Sequence, residues 1–237
     1  VESFKTLRDK ISQAGVIVMM SGIVGNNTHR PLDINEFRAF AMVDDLVPLI
    51  FINSNDSVNG KLFSLLHEFA HICIGNNSLY NDRYSSGTRV SKAESVSNAV
   101  AAEILVPQVM FEKKWKEIDK FDDPIKTIDV LAKYFSCGTT VIARKALDNG
   151  YIDYSVYRKL SQIAVNRYNE KRKKEKEQGG GGDYYRTAAS RIDTRFFKSL
   201  VSSVHEGKTL YTDAFRLTNT NRSTFENLVN KMGGGSK

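Results

Sequence analysis

Two histidines and a glutamate in one short stretch of the chain could bind a metal ion and move a proton. His67, Glu68 and His71 form a His-Glu-x-x-His pattern. Residues four apart lie on the same face of a helix, so the imidazoles of His67 and His71 can point at one tetrahedral zinc ion. Glu68 stands beside the first histidine, where it can take a proton from zinc-bound water. The pattern therefore predicts a catalytic zinc site.

The neighbours of this pattern indicate a buried helix, because they are apolar: Leu65, Leu66, Phe69, Ala70, Ile72 and Cys73. Unpaired polar groups are costly to bury, so two histidines and a glutamate on such a helix need a function. A chance match on a structural helix is the alternative, and the apolar setting favours zinc. The longer pattern with a third histidine is absent, since Ile74 and Asn77 occupy its glycine and histidine positions. The third protein ligand must therefore come from elsewhere.

A second helical segment, residues 91–107, can supply that ligand. At about 100° per residue Glu94 and Asn98 share one face, whereas Glu103 points to the opposite side. We predict that Glu94 is the third ligand and that Asn98 hydrogen-bonds a ligand from behind. Asp82, in the polar loop before this helix, is a weaker rival, and a solvated surface position for Glu94 is the structural alternative.

The composition fits a globular protein with one main domain. The chain has 237 residues, of which 41% are hydrophobic and 26% charged. No apolar run reaches the roughly 18 residues of a membrane helix, and no signal-peptide pattern is present. We expect Cys73 and Cys137 to be reduced core thiols of a cytoplasmic protein. The start at Val1 rather than methionine suggests a piece of a longer protein.

The net charge of +7 raises the question of nucleic-acid binding. Much of the positive charge lies in residues 167–176, where lysines and arginines alternate with glutamates, as on a solvated helix end. The helices predicted at 124–135 and 139–149 have the spacing of a helix-turn-helix, but paired core helices share that spacing. DNA contact is thus an unsupported alternative, and we predict no membrane contact.

Hydrophobic patterning predicts an α+β fold, in which a small N-terminal sheet packs on a mainly helical, zincin-like core. Strands are expected at residues 16–20, 37–43 and 49–53, after a helix at 2–14. Residues 22–33 and 76–89 are expected to be loops. The metal-binding helix should run from about 61 to 74, and a long charged helix from 153 to 177.

A glycine run divides the chain. Residues 1–178 are predicted to form the metal-binding domain, 179–182 a glycine-rich linker, 183–232 a small α-helical unit and 233–237 a flexible tail. Three short helices are expected in the small unit, and a capping box of Ser223 and Glu226 would open the last of them.

Three segments together resemble the ImmA/IrrE family of zinc peptidases: residues 48–53, residues 66–72 with the His-Glu-x-x-His pattern, and residues 94–107. The third matches the family's Glu-x-x-x-Asn-x-Phe-Ala-Ala stretch, with Val100 in place of the common phenylalanine. The resemblance covers about residues 1–150, and the segment from 183 to 225 is similar to a C-terminal extension of larger members.

The resemblance implies a zinc metallopeptidase with a glutamate as third ligand, cleaving a partner protein that is often an Xre-type repressor. Many members carry an Xre-type DNA-binding domain ahead of the peptidase unit, which the segment before Val1 could have held. A metal-containing partner-binding or antitoxin-like module with little proteolysis is the alternative. The residue that stabilises the oxyanion stays open among His29, Tyr80 and Tyr84.

Overall fold

In the computed structural model, residues 2–80, 91–118, 123–177 and 184–232 are described. Within these ranges the chain has six strands and eleven helices, so the predicted α+β class is confirmed. In chain order the elements are α1 Glu2–Gln13, β1 Ile17–Ser21, β2 Ile23–Val24, β3 Asn27–Pro31, β4 Ala39–Met42, β5 Leu49–Asn53, α2 Val58–Ile74, β6 Ser78–Tyr80, α3 Lys92–Leu105, α4 Gln108–Glu117, α5 Pro124–Tyr134, α6 Thr139–Asp148, α7 Tyr154–Glu177, α8 Tyr184–Arg191, α9 Thr194–His205, α10 Tyr211–Thr218 and α11 Arg222–Met232.

The main sheet has four strands in the order β1-β5-β4-β6. Strand β1 runs parallel to β5, whereas β4 is antiparallel to both β5 and β6. Three of these strands lie where apolar runs predict them. The fourth, β6, falls in a segment predicted as a loop, because its pairing with β4 is a long-range contact that local patterning does not reveal.

Residues 22–33 also differ from the prediction of a loop, since β2 and β3 pair there as a separate antiparallel hairpin. All five residues of β3 are exposed, so this strand has no apolar alternation that a sequence pattern could show.

Helices α1 and α2 pack on the sheet around a shared core. Ile11 of α1, Val18 and Ile52 of the sheet and Leu65 of α2 belong to one buried cluster. Burial decreases at the end of α2, where Cys73 is exposed, so the predicted core position of this thiol is wrong. Cys137 is buried, and burial raises the pKa of its thiol to about 12.

Helices α4 to α7 form a second cluster that contains Phe111, Trp115, Ile128, Leu131 and Ile142. Helices α5 and α6, whose spacing resembles a helix-turn-helix, contribute their apolar faces to this core. On the outer face of α6, Arg144 pairs with Asp148 at 3.0 Å.

The C-terminal unit is formed by α8 to α11 and has a cluster of its own around Phe197, Phe225 and Leu228. It has four helices rather than the expected three, because α8 ends at Arg191 and Asp193 caps the start of a new helix, α9. The predicted capping box is also wrong: α11 begins at Arg222, and the side chain of Asn221 accepts a hydrogen bond from Thr224 N at 2.8 Å.

This unit docks on β1, which lies at the edge of the sheet. Arg195 donates to Ser12 O at 2.6 Å, Arg8 donates to Ser190 O at 2.7 Å, and Met19 packs against the C-terminal cluster. The predicted linker at 179–182 and tail at 233–237 lie outside the described residues. None of the described helices has the length and apolar character needed to cross a membrane.

Candidate metal centre

Helix α2 presents two imidazoles on one buried face. Its ends are set locally: Ser57 accepts a hydrogen bond from Gly60 N at 2.9 Å, and Gly75 stops the helix in a left-handed conformation with φ 81°. His67 is fully buried and His71 is 2% exposed. Their Nε2 atoms lie 3.1 Å apart, as the four-residue spacing requires if both are to contact one ion.

Helix α3 packs against α2 and brings a carboxylate to the same point. Glu94 Oε2 lies 3.2 Å from His67 Nε2, and Glu94 Oε1 lies 3.1 Å from His71 Nε2. Four ligands about 2.1 Å from a tetrahedral zinc ion are roughly 3.4 Å from one another. The three groups therefore fit a divalent metal ion in both spacing and donor type. The Glu94 side chain is 33% exposed, so this side of the cluster is open to solvent.

Two other residues of α3, Asn98 and Glu103, lie on the helical faces that the sequence predicts for them. Asn98 interacts with the side chain of His67 and raises the pKa of this imidazole, so it neighbours a proposed ligand. Burial and, to a smaller extent, the charge of His71 lower the pKa of His67 to about 3, and Asn98 opposes this shift. His67 is therefore neutral at pH 7, the form that binds metals. Glu103 points away and pairs with Lys145 at 2.6 Å.

Glu68 is fully buried beside these groups. Burial raises the pKa of its carboxyl to about 8, a hydrogen bond from the Ser78 hydroxyl opposes this shift, and the charge of Glu94 adds to it. Ser78 donates to Glu68 Oε2, whereas Oε1 has no hydrogen-bond partner within the part of the chain that the structure describes. A carboxyl with a pKa this close to neutral can both accept and return a proton.

Sequence reasoning missed Ser78, which belongs to the segment predicted as an exposed loop. The one hint in the sequence was Gly75. A glycine at the end of a helix lets the chain turn back and run beside the last turns of that helix.

Of the remaining candidates, only His29 has a side chain that the structure describes. His29 lies on the exposed strand β3 of the separate hairpin. Tyr80 ends β6 by pairing with Ala39, and its side chain is not described. Tyr84 and the rival ligand Asp82 lie outside the described residues. The oxyanion-stabilising residue stays a prediction among these tyrosines and His29.

An α+β fold with this constellation defines a metallopeptidase-like protein. The chain matches the family model of the IrrE N-terminal-like domain, of the M78 peptidases, over residues 15–147. This match covers more than half of the chain, so the chain belongs to that family and the ImmA/IrrE resemblance is confirmed. A domain of unknown function, DUF8813, matches residues 192–231. No curated protein matches the chain.

Proposed function

We propose that this protein is a zinc-dependent endopeptidase that hydrolyses one specific protein, a partner transcriptional repressor. The observation that carries the proposal is the convergence of the two histidine Nε2 atoms and the Glu94 carboxylate within 3.2 Å, next to a buried glutamate. Membership of a peptidase family supports the same reaction class.

His67, His71 and Glu94 would hold the zinc ion, and the open side of the cluster leaves room for water and the substrate. When bound, zinc polarises the scissile carbonyl and acidifies the attacking water. Asn98, which interacts with the His67 side chain, would help to orient this ring. Two neutral imidazoles and one carboxylate match the ligand types of catalytic zinc sites.

Glu68 performs the proton transfers. Its carboxylate takes a proton from the water that attacks the peptide carbonyl carbon, and then gives that proton to the amine nitrogen that leaves. Burial favours this role because it raises the basicity of the carboxylate towards the operating pH. A metal-dependent binding module has no need of such a group, so the buried Glu68 favours the peptidase over the binding-module alternative.

The proposed substrate rests on the ImmA/IrrE resemblance, in which a partner repressor is cleaved and transcription is released. A narrow substrate range follows from this role. Generic substrates such as casein are therefore poor probes, and the repressor encoded beside this chain is the substrate to test.

The test compares Glu94→Ala with Glu103→Ala, two equivalent truncations on helix α3. Zinc per chain is measured by elemental analysis, and repressor cleavage by mass spectrometry. We expect about one zinc and cleavage in the wild type and in Glu103→Ala, and loss of both in Glu94→Ala. A full zinc content in folded Glu94→Ala would remove this residue from the site, and uncut repressor with zinc-loaded wild type would refute the peptidase.

A further inference from the structure

We propose that Ser78 is a positioning residue that holds the Glu68 carboxylate in its reactive orientation. The inference rests on the proposed function, since it concerns the residue assigned there as the general base. It is carried by one contact: the Ser78 hydroxyl donates to Glu68 Oε2, in a site where the other carboxylate oxygen, Oε1, is buried and has no partner among the described residues.

The path of the chain explains how Ser78 reaches a residue ten positions earlier. Gly75 ends α2 in a left-handed conformation that is unfavourable for residues with a Cβ, and the chain turns back beside the helix. Asn77 then accepts a hydrogen bond from Val43 N at 2.6 Å through its side-chain oxygen. Strand β6 starts at the next residue, where Ser78 pairs with Ala41 of β4.

The contact divides the two carboxylate oxygens of Glu68 between two tasks. A carboxyl group rotates about its terminal bond with broad, weak preferences, so an unrestrained Glu68 would present either oxygen in many orientations. A hydrogen bond to Oε2 selects one orientation and leaves the lone pairs of Oε1 for a proton. Glu68 directly follows the proposed ligand His67 in α2, which places this carboxyl beside the metal-binding cluster.

The strand itself does not depend on the Ser78 hydroxyl. Backbone pairing with β4 and the Asn77 side chain hold the start of β6, so removal of one hydroxyl leaves these contacts in place. A purely structural role for Ser78 therefore predicts no change in the behaviour of Glu68, whereas a positioning role predicts a defect at the site with the fold and metal retained.

The experiment uses the full chain loaded with Co²⁺ and measures binding of acetohydroxamate from the visible absorption of the metal. This small ligand binds a metal through two oxygens and passes a proton to a neighbouring base, so its affinity reports on Glu68 without a peptide substrate. The variants are Ser78→Ala, the matched pair Ser78→Thr and Ser78→Val, and Glu68→Gln as the reference. Threonine and valine have the same shape, both suit a strand, and only threonine keeps the hydroxyl.

We expect Ser78→Ala and Ser78→Val to bind acetohydroxamate about tenfold more weakly than the wild type, since a hydrogen bond to a charged group is lost. Ser78→Thr should stay close to the wild type, and all three should hold one Co²⁺. Equal affinities in the threonine and valine variants, with Glu68→Gln weakened, would overturn the role of Ser78 and leave the proposed function standing. An unweakened Glu68→Gln would refute the proposed function and this inference together.

Discussion

Two carboxylates in this protein are buried to the same degree but are bonded very differently. Glu68 in the candidate metal centre is 0% exposed and Asp193 in the C-terminal unit is 2% exposed. Both oxygens of Asp193 are used. Oδ1 accepts from the backbone N–H groups of Arg195 and Phe196 at 2.9 and 3.0 Å, and Oδ2 accepts from Val18 N at 3.3 Å.

Glu68, by contrast, has one hydrogen bond and one oxygen without a partner in the described chain, and its pKa is raised to about 8. A buried carboxylate with both oxygens hydrogen-bonded, such as Asp193, stabilises the structure because it joins helix α9 to the edge strand β1. A buried carboxylate with an unsatisfied oxygen costs free energy, and such a group is retained where it performs chemistry.

The largest expected effect is a loss of repressor cleavage in Glu68→Gln, which tests whether Glu68 is catalytic or structural. Glu68→Gln is nearly isosteric and removes no proposed ligand, so the fold and the zinc should persist. Repressor cleavage should fall by about 10²–10⁴, the range that general-base catalysis supplies. Single-turnover cleavage assays, with zinc content as the control, measure this. Unaltered cleavage by the zinc-loaded variant would show that Glu68, like Asp193, has only a structural role.

The equivalent change at Asp193 should affect folding instead. In Asp193→Asn one oxygen can still cap α9, but the amide NH₂ would face Val18 N–H, and two donors cannot bond. We expect the free energy of unfolding to fall by about 2–3 kcal/mol, the cost of an unsatisfied buried group and a weakened cap. Urea unfolding measures it, and Asp213→Asn, at a half-exposed ion pair on the same unit, is the control. If folded Asp193→Asn cleaved less repressor per molecule, the assignment of a purely structural role to Asp193 would be wrong.

Asn98 tests whether the polar neighbours of the metal centre act on the metal. Asn98→Ala removes the side chain that interacts with His67, and loss of a residue that supports a ligand typically lowers metal affinity by about 10–100-fold. We expect the lower end, because a single ligand is affected. Competition with a zinc chelator gives the affinity. Asn227→Ala, at a half-buried position on α11 in the C-terminal unit, should not change it.

The smallest effect is a pH dependence of the metal-free protein. The folded pKa of Glu68 lies above its unfolded value, so its contribution to stability is present below pH 4.5 and is lost as the pH rises towards 8. His67 has a depressed folded pKa, so its contribution is present above pH 6.5 and is lost as the pH falls towards 3.

Of these two groups Glu68 dominates between pH 6.5 and 8, where its contribution to the free energy of unfolding should decline with a slope of at most about 1.4 kcal/mol per pH unit. Unfolding of chelator-treated protein at several pH values measures it. Glu68→Gln should be flat in this window, and a slope shared by both proteins would assign the effect to another group.

Local periodicity was enough to identify the residues that converge at the metal centre. The four-residue spacing of His67 and His71 and the 100° rotation per residue that separates Glu94 from Glu103 are properties of any helix, whatever surrounds it. The α+β class, the three apolar strands and the helical character of the C-terminal residues follow from patterning in the same way.

The partners of the two buried carboxylates were decided by tertiary structure alone. Ser78 meets Glu68 because β6 pairs with β4, and Asp193 meets Val18 across 175 positions of sequence because α9 docks on an edge strand. Neither contact leaves a local signal: β6 has three residues, and Asp193 resembles any helix cap. Helical faces are determined by the geometry of one chain segment, whereas hydrogen bonds between elements depend on which surfaces pack together. Only the folded chain shows which buried carboxylate retains an oxygen for chemistry.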